Sequence, residues 1–220
     1  MILVEMNRKK HTALLISNIL IAIPVLAFAI ITMLQNKYEK LPVYNSTLNT
    51  NKEDKTPHFI QSFILINQHG KNFSDNELKN KIYVADFFFT SCLSSCPKMT
   101  DNLKQVQDAF KNDDNVNIIS FTVDPERDTV QRLNGYANHF NINTNKWNFL
   151  TGSKKEIYKL ARESFYVSAG DGDGGPDDFI HSDKLILVDK QKQIRGYYTG
   201  TEKNDVEQLI HDIKKLEDEN

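Results

Sequence analysis

Cysteine is scarce in this chain of 220 residues: there are two, too few for a disulfide scaffold. Tryptophan occurs once, proline six times and glycine nine times, which excludes a collagen-like or glycine- and proline-rich disordered polymer. Neither sign of charge prevails. Lys and Arg number 27 against 29 Asp and Glu, a net −2, so no basic field invites nucleic acid. No internal repeat is visible, and 40% hydrophobic with 25% charged residues is an ordinary globular balance.

Charge is missing altogether between Ala13 and Leu34, a run of 22 residues. As helix it is about 33 Å long, against a hydrocarbon core of about 30 Å. Arg8, Lys9 and Lys10 precede it, so the short N-terminus is expected in the cytoplasm and the rest of the chain outside. Ala27-Phe28-Ala29 offers a cleavage-like site, which makes a removable signal peptide the rival reading. The apolar run continues through Ile30, Ile31, Met33 and Leu34, however, longer than a usual signal core, and favours an uncleaved anchor. The expected organisation is 1–12 cytoplasmic, 13–34 transmembrane, 35–57 a polar tether and 58–220 the exported domain.

Within that domain, Phe59 to Asn67 is rich in β-branched and aromatic residues and ends at the turn signal Gln68-His69-Gly70-Lys71. Ser74 and Glu77 fit a capping box opening a short helix through Leu78. Lys81 to Phe89 is nearly continuous apolar sequence, the pattern of a central strand buried on both faces. Asp86 interrupts it and needs a partner if buried. Pro97 suits a first helical turn, with Leu103, Val106 and Phe110 following at helical spacing. Val116 to Val123 and Trp147 to Leu150 read as strands, 128–140 and Lys154 to Arg162 as helices. Lys184 to Val188 and Gln193 to Tyr198 form a hairpin by pattern. Val206, Leu209, Ile210, Ile213 and Leu216 give a last helix one apolar face. The class is α/β, and the order of elements is that of a thioredoxin-like fold with insertions, helices covering both sheet faces.

The two cysteines, Cys92 and Cys96, stand between the central strand and the helix after it. Spacing i, i+4 puts both on one helix face, and a helix N-terminus favours thiolate. Such a pair closes into a disulfide, structural or redox-active, or grips a soft metal ion such as Cu(I) that also accepts imidazole. Six histidines compete for a third position. His11, His58, His69, His139 and His211 suit solvated or locally bonded roles. His181 differs: it follows a glycine-rich acidic loop, 169–178, and directly precedes a strand. Asp171 and Asp173 open that loop with calcium-like spacing, but Gly175 and Pro176 then break the pattern, and a mobile lid is the better reading. Met99 offers a thioether, though core packing explains it more simply.

Together these residues resemble the Sco (SenC) family of membrane-anchored copper proteins that assist cytochrome c oxidase. The resemblance runs through ILINQHGKNFSDNELKNK, DFFFTSCLSSCPKMT, ISFTVDPERDT, WNFLTG and FIHSDKLILVDKQKQIRGYYTGT, nearly the whole exported domain. The family motif is CxxxCP with a histidine far downstream, and Cys92, Cys96-Pro97 and His181 match it, His181 lying 85 residues beyond Cys96. The resemblance implies that Cys92, Cys96 and His181 ligate one copper ion. It implies a metallochaperone delivering copper to the CuA-bearing subunit of the oxidase. The alternative is a thiol–disulfide oxidoreductase that keeps that subunit's cysteines reduced, with Cys92 and Cys96 as the redox-active pair. Against a general thioredoxin-type reductant, three residues rather than two separate the cysteines, and Ser182-Asp183 follow His181 where a proline is usual. A peroxidase is weaker still, because no Pro-x-x-x-Thr-x-x-Cys pattern precedes either cysteine. Leu93-Ser94 stand where many members carry Pro-Asp, which removes one carboxylate beside the first cysteine. The expected setting is a bacterial inner membrane with the domain in the periplasm, where a thiol reductant is needed to keep the pair reduced.

Overall fold

In the computed structural model, which describes residues 18, 20–31, 40–44, 57–167 and 182–219, the sheet is built outward from the apolar run. The strands are β1 (Ile64–Asn67), β2 (Asn72–Ser74), β3 (Ile82–Phe88), β4 (Val116–Thr122), β5 (Trp147–Thr151), β6 (Lys184–Val188) and β7 (Ile194–Thr199). They form one seven-stranded sheet in the order β2-β1-β5-β4-β3-β6-β7. β3 pairs parallel with β4, and β4 with β5, while the outer pairings are antiparallel. All seven residues of both β3 and β4 are buried, as expected of strands covered on both faces.

The helices are α1 (20–31), α2 (Ser95–Ala109), α3 (Val130–His139), α4 (Lys154–Lys159) and α5 (Lys203–Asp218). A 3₁₀ turn, Asp75–Leu78, follows β2, with Glu77 accepting from the Ser74 N–H at 3.1 Å. α4 runs on into a π turn, Leu160–Ser164, for which the sequence carries no signal. Alternation along β3 divides the core. Ile82, Val84 and Phe88 pack with α2, α3 and α5, while Tyr83, Ala85 and Phe87 pack with α4, the π turn and Ile60 to Phe63. α2 buries Met99, Leu103 and Val106 along one stripe, each stabilising the fold by about 1.5–3 kcal/mol. Met99 is therefore a core residue, 1% exposed.

The strand expected from Phe59 begins only at Ile64, because residues 57–63 run as a strap. Ile60 donates to the Lys192 carbonyl and Phe63 to Asp75 Oδ1. Leu41 to Tyr44, part of the expected tether, are also pinned. Arg195 donates to the Leu41 and Pro42 carbonyls at 2.7 and 3.0 Å, and Glu219 accepts from the Leu41 N–H at 2.8 Å.

The chain divides into two compact units, 1–40 and 41–220. In the first, residues 20–31 are helical and every one is exposed. Among the described residues no helix is long and apolar enough to cross a membrane. Residues 13–17, 19 and 32–34 of the expected span lie outside the described residues.

Candidate metal centre

β3 ends at Phe88, and residues 89–94 carry the chain over the sheet edge into α2. A buried carboxylate shapes this turn. Asp128, fully buried, accepts from the Thr90 N–H at 3.0 Å, from the Thr90 hydroxyl, and from the Thr122 hydroxyl at 2.5 Å. The start of the cysteine loop is thereby fastened to Asp128, 38 residues away in sequence, and through it to Thr122 at the end of β4. Sequence reading did not single out Asp128, although it lies in the ISFTVDPERDT stretch.

Cys92 and Cys96 are both buried and both free thiols. Ser94, the residue before α2, gives the helix no side-chain cap. The Cys96 N–H donates instead to Cys92 Sγ at 3.4 Å, and the hydroxyls of Ser94 and Ser95 each lie 3.8 Å from that sulfur. A sulfur takes the place of the usual capping oxygen at a helix start, where unpaired N–H groups favour negative charge. Burial works to raise the Cys92 pKa, but hydrogen bonds from the backbone and side chains of Cys96 and Ser94 outweigh it, lowering it to about 6. For Cys96 burial prevails. A hydrogen bond from the Phe89 backbone opposes it, while the neighbouring Cys92 and the Asp86 charge reinforce it, and the thiol is pushed up to about 12. At neutral pH the pair therefore holds one thiolate, at Cys92, and one proton, at Cys96.

Asp86 lies beneath the pair on the α2 side of β3 and is 3% exposed. Its expected partner is Ser120, which donates to Oδ1 and itself accepts from Trp147 Nε1 at 2.8 Å. Burial, opposed by the Ser120 hydrogen bond, raises the Asp86 pKa to about 7.

Cys96 opens onto a cavity of about 400 Å³ whose wall includes Phe87, Phe89, Val167 and Ser182. Val167 and Ser182, the described residues on either side of 168–181, both line the cavity of Cys96. His181 and the acidic loop 169–178 lie outside the described residues. Among the described residues no group of three or more His, Cys, Asp or Glu is placed to hold a metal ion. The remaining described histidines stand apart from the thiols in their bonding. His58 Nε2 bonds the Ser164 carbonyl at 2.8 Å and Nδ1 meets the Tyr166 hydroxyl at 2.7 Å, while His69, His139 and His211 are exposed. What the described centre offers is a dithiol with one sulfur ionised, suited to thiol exchange or to a soft metal.

The SCO1/SenC family model matches residues 51–218. The chain belongs to the SCO1/SenC family. A SCO1 protein homolog of Bacillus subtilis is 35% identical over 164 residues, 74% of this chain and 84% of that one. Among solved structures, one identifies a disulfide switch in BsSco, a member of the Sco family of cytochrome c oxidase assembly proteins. It is 34% identical, with a TM-score of 0.64, and the match covers 74% of this chain and 95% of that one. Bradyrhizobium japonicum ScoI with copper bound is 28% identical, with a TM-score of 0.58 over 72% of this chain and 99% of that one. The thioredoxin-like fold expected from the order of elements is thus, in this domain, the Sco fold.

Proposed function

We propose that this Sco family chain is a copper metallochaperone, binding one copper ion through Cys92, Cys96 and His181 and delivering it to the CuA-bearing subunit of a cytochrome c oxidase. The observation that carries this reading is the pairing of two free thiols at the start of α2 with a cavity lined by Val167 and Ser182, the described residues that precede and follow the segment bearing His181. Thiolate and imidazole are the donor types that suit Cu(I), and the sulfurs present fit that ion. Copper binding in the ScoI relative supports the choice of metal, and the oxidase-assembly role of BsSco supports the recipient. Residues 13–34 anchor the chain in a bacterial inner membrane, with the domain in the periplasm and a separate thiol reductant keeping the pair reduced.

A second reading rests on the division of charge within the pair. A thiolate at Cys92 beside a thiol at Cys96 is the state from which a thiol–disulfide oxidoreductase attacks and then resolves a mixed disulfide. One experiment separates the two. Copper stoichiometry on the reduced protein is expected at one per chain, and His181→Ala should lose it while still forming the Cys92–Cys96 disulfide. If copper binding ignores His181 while the disulfide cycles normally, the reductase reading takes over.

A further inference from the structure

A groove of about 330 Å³ lies on the other flank of the thiol pair, between Cys92 and Pro97 on one side and Arg132, Gly135, His139 and Phe140 on the other. It shares no lining residue with the cavity of Cys96. We infer that this groove seats an extended acidic segment of the recipient protein, presenting that segment's cysteine to Cys92. The inference deepens the proposed function and rests on it for the identity of the recipient.

Gly135 carries the argument furthest. It stands inside α3, where glycine costs about 1 kcal/mol relative to alanine. Its φ is not left-handed, and a Cβ built there meets nothing within 4 Å, so neither the backbone nor the domain's own packing requires glycine. The effect of glycine here is a groove floor open to another backbone. Charge selects the occupant. Arg132 is exposed and is the one residue of fixed positive charge lining the groove, and no acidic residue lines it. Leu93, 97% exposed beside Cys92, adds an apolar contact at the sulfur end.

The test uses the reduced full-length chain and a ten-residue peptide whose central cysteine is disulfide-linked to thionitrobenzoate. The Cys92 thiolate attacks the peptide sulfur, forming a mixed disulfide and releasing coloured thionitrobenzoate. Cys96 then loses its proton to solvent and attacks Cys92 Sγ, closing the Cys92–Cys96 disulfide and expelling the peptide as its thiolate. A glutamate-flanked peptide should react about fivefold faster than a lysine-flanked one at about 0.15 M salt, as one ion pair with Arg132 allows. The chain's net charge of −2 works the other way, so long-range steering does not produce that order. Arg132→Glu should abolish the preference. Gly135→Leu should slow the acidic peptide about tenfold and leave neutral hydroxyethyl disulfide within about twofold, whereas Gly135→Ala should retain the preference. Equal rates for the two peptides, or Gly135→Leu slowing both disulfides alike, overturns the docking site. If the acidic preference persists while copper binding ignores His181, the metal reading alone falls and the docking site stands.

Discussion

Cys92 and Cys96 have the same side chain but not the shared helix face their spacing suggests, because Cys92 lies in the loop before α2 and Cys96 in its first turn, and their surroundings drive them in opposite directions. Cys92 accepts hydrogen bonds at the helix start, whereas Cys96 is enclosed next to its partner's charge and Asp86. Alkylation with iodoacetamide should therefore label Cys92 alone, with a rate that rises through about pH 6 and levels off by neutral pH. The sign follows from the lowered pKa: the nucleophile is the deprotonated form, so reactivity is present above the pKa and lost as pH falls through it. Replacing Ser94 by Ala removes one of the hydrogen bonds that lower it, and should move the midpoint upward. A profile centred near pH 8.5, or equal labelling of both cysteines, would refute the asymmetry. The two cysteines were legible in the sequence from their spacing. Which one is ionised was not, because it depends on the backbone and side-chain donors of Ser94 and Cys96, whose aim is fixed only when α2 begins at Ser95.

At the scale of elements, the loop from β3 to α2 is held by a clasp rather than by its own turn chemistry. Asp128 takes three hydrogen bonds from Thr90 and Thr122 in a fully buried position. Asp128→Ala leaves those donors without an acceptor, and should cost about 2–4 kcal/mol in denaturant unfolding. Asp128→Asn retains acceptor capacity and should cost less, with its copper stoichiometry maintained. Equal stability of wild type and Asp128→Ala would show that the clasp is not needed. The same comparison explains what could be read in advance. β3, the hairpin of β6 and β7, and the apolar face of α5 repeat at periods of about 2 or 3.6 residues, or run continuously apolar, and these are local properties. The Thr90–Asp128 clasp, the Asp86–Ser120–Trp147 chain and the placement of β1 beside β5 join residues 27 to about 85 positions apart, and local patterns do not encode such pairings. Residues 59–63 have strand-like side chains, but the Ile60 and Phe63 N–H groups bond to Lys192 and Asp75 rather than to a neighbouring strand, so the strand expected from Phe59 starts only at Ile64.

On the scale of the whole molecule, the segment leading from the first unit into the second is tied to the chain's far end. Arg195, 8% exposed, pairs with Asp189 at 3.0 Å and with Glu219 at 2.7 Å while donating to the Leu41 and Pro42 carbonyls. One guanidinium thus joins the incoming chain, the β6–β7 hairpin and the end of α5. Buried charges of this kind add little when complete but cost heavily when one partner is removed. Arg195→Ala strands the Asp189 carboxylate, itself 1% exposed, and should destabilise the domain by about 3–5 kcal/mol. At this size that corresponds to roughly 6–20 °C in Tm. A protein beginning at residue 57 keeps both ion pairs and loses only the bonds to 41–44, so its Tm should fall much less. Neither change touches a residue lining the cavity of Cys96, and both proteins should hold as much copper as wild type below their unfolding temperatures. If the truncation proves as damaging as Arg195→Ala, the stability resides in the docked 41–44 segment rather than in the ion pairs. The incoming segment at 41–44 would then be part of the folded domain.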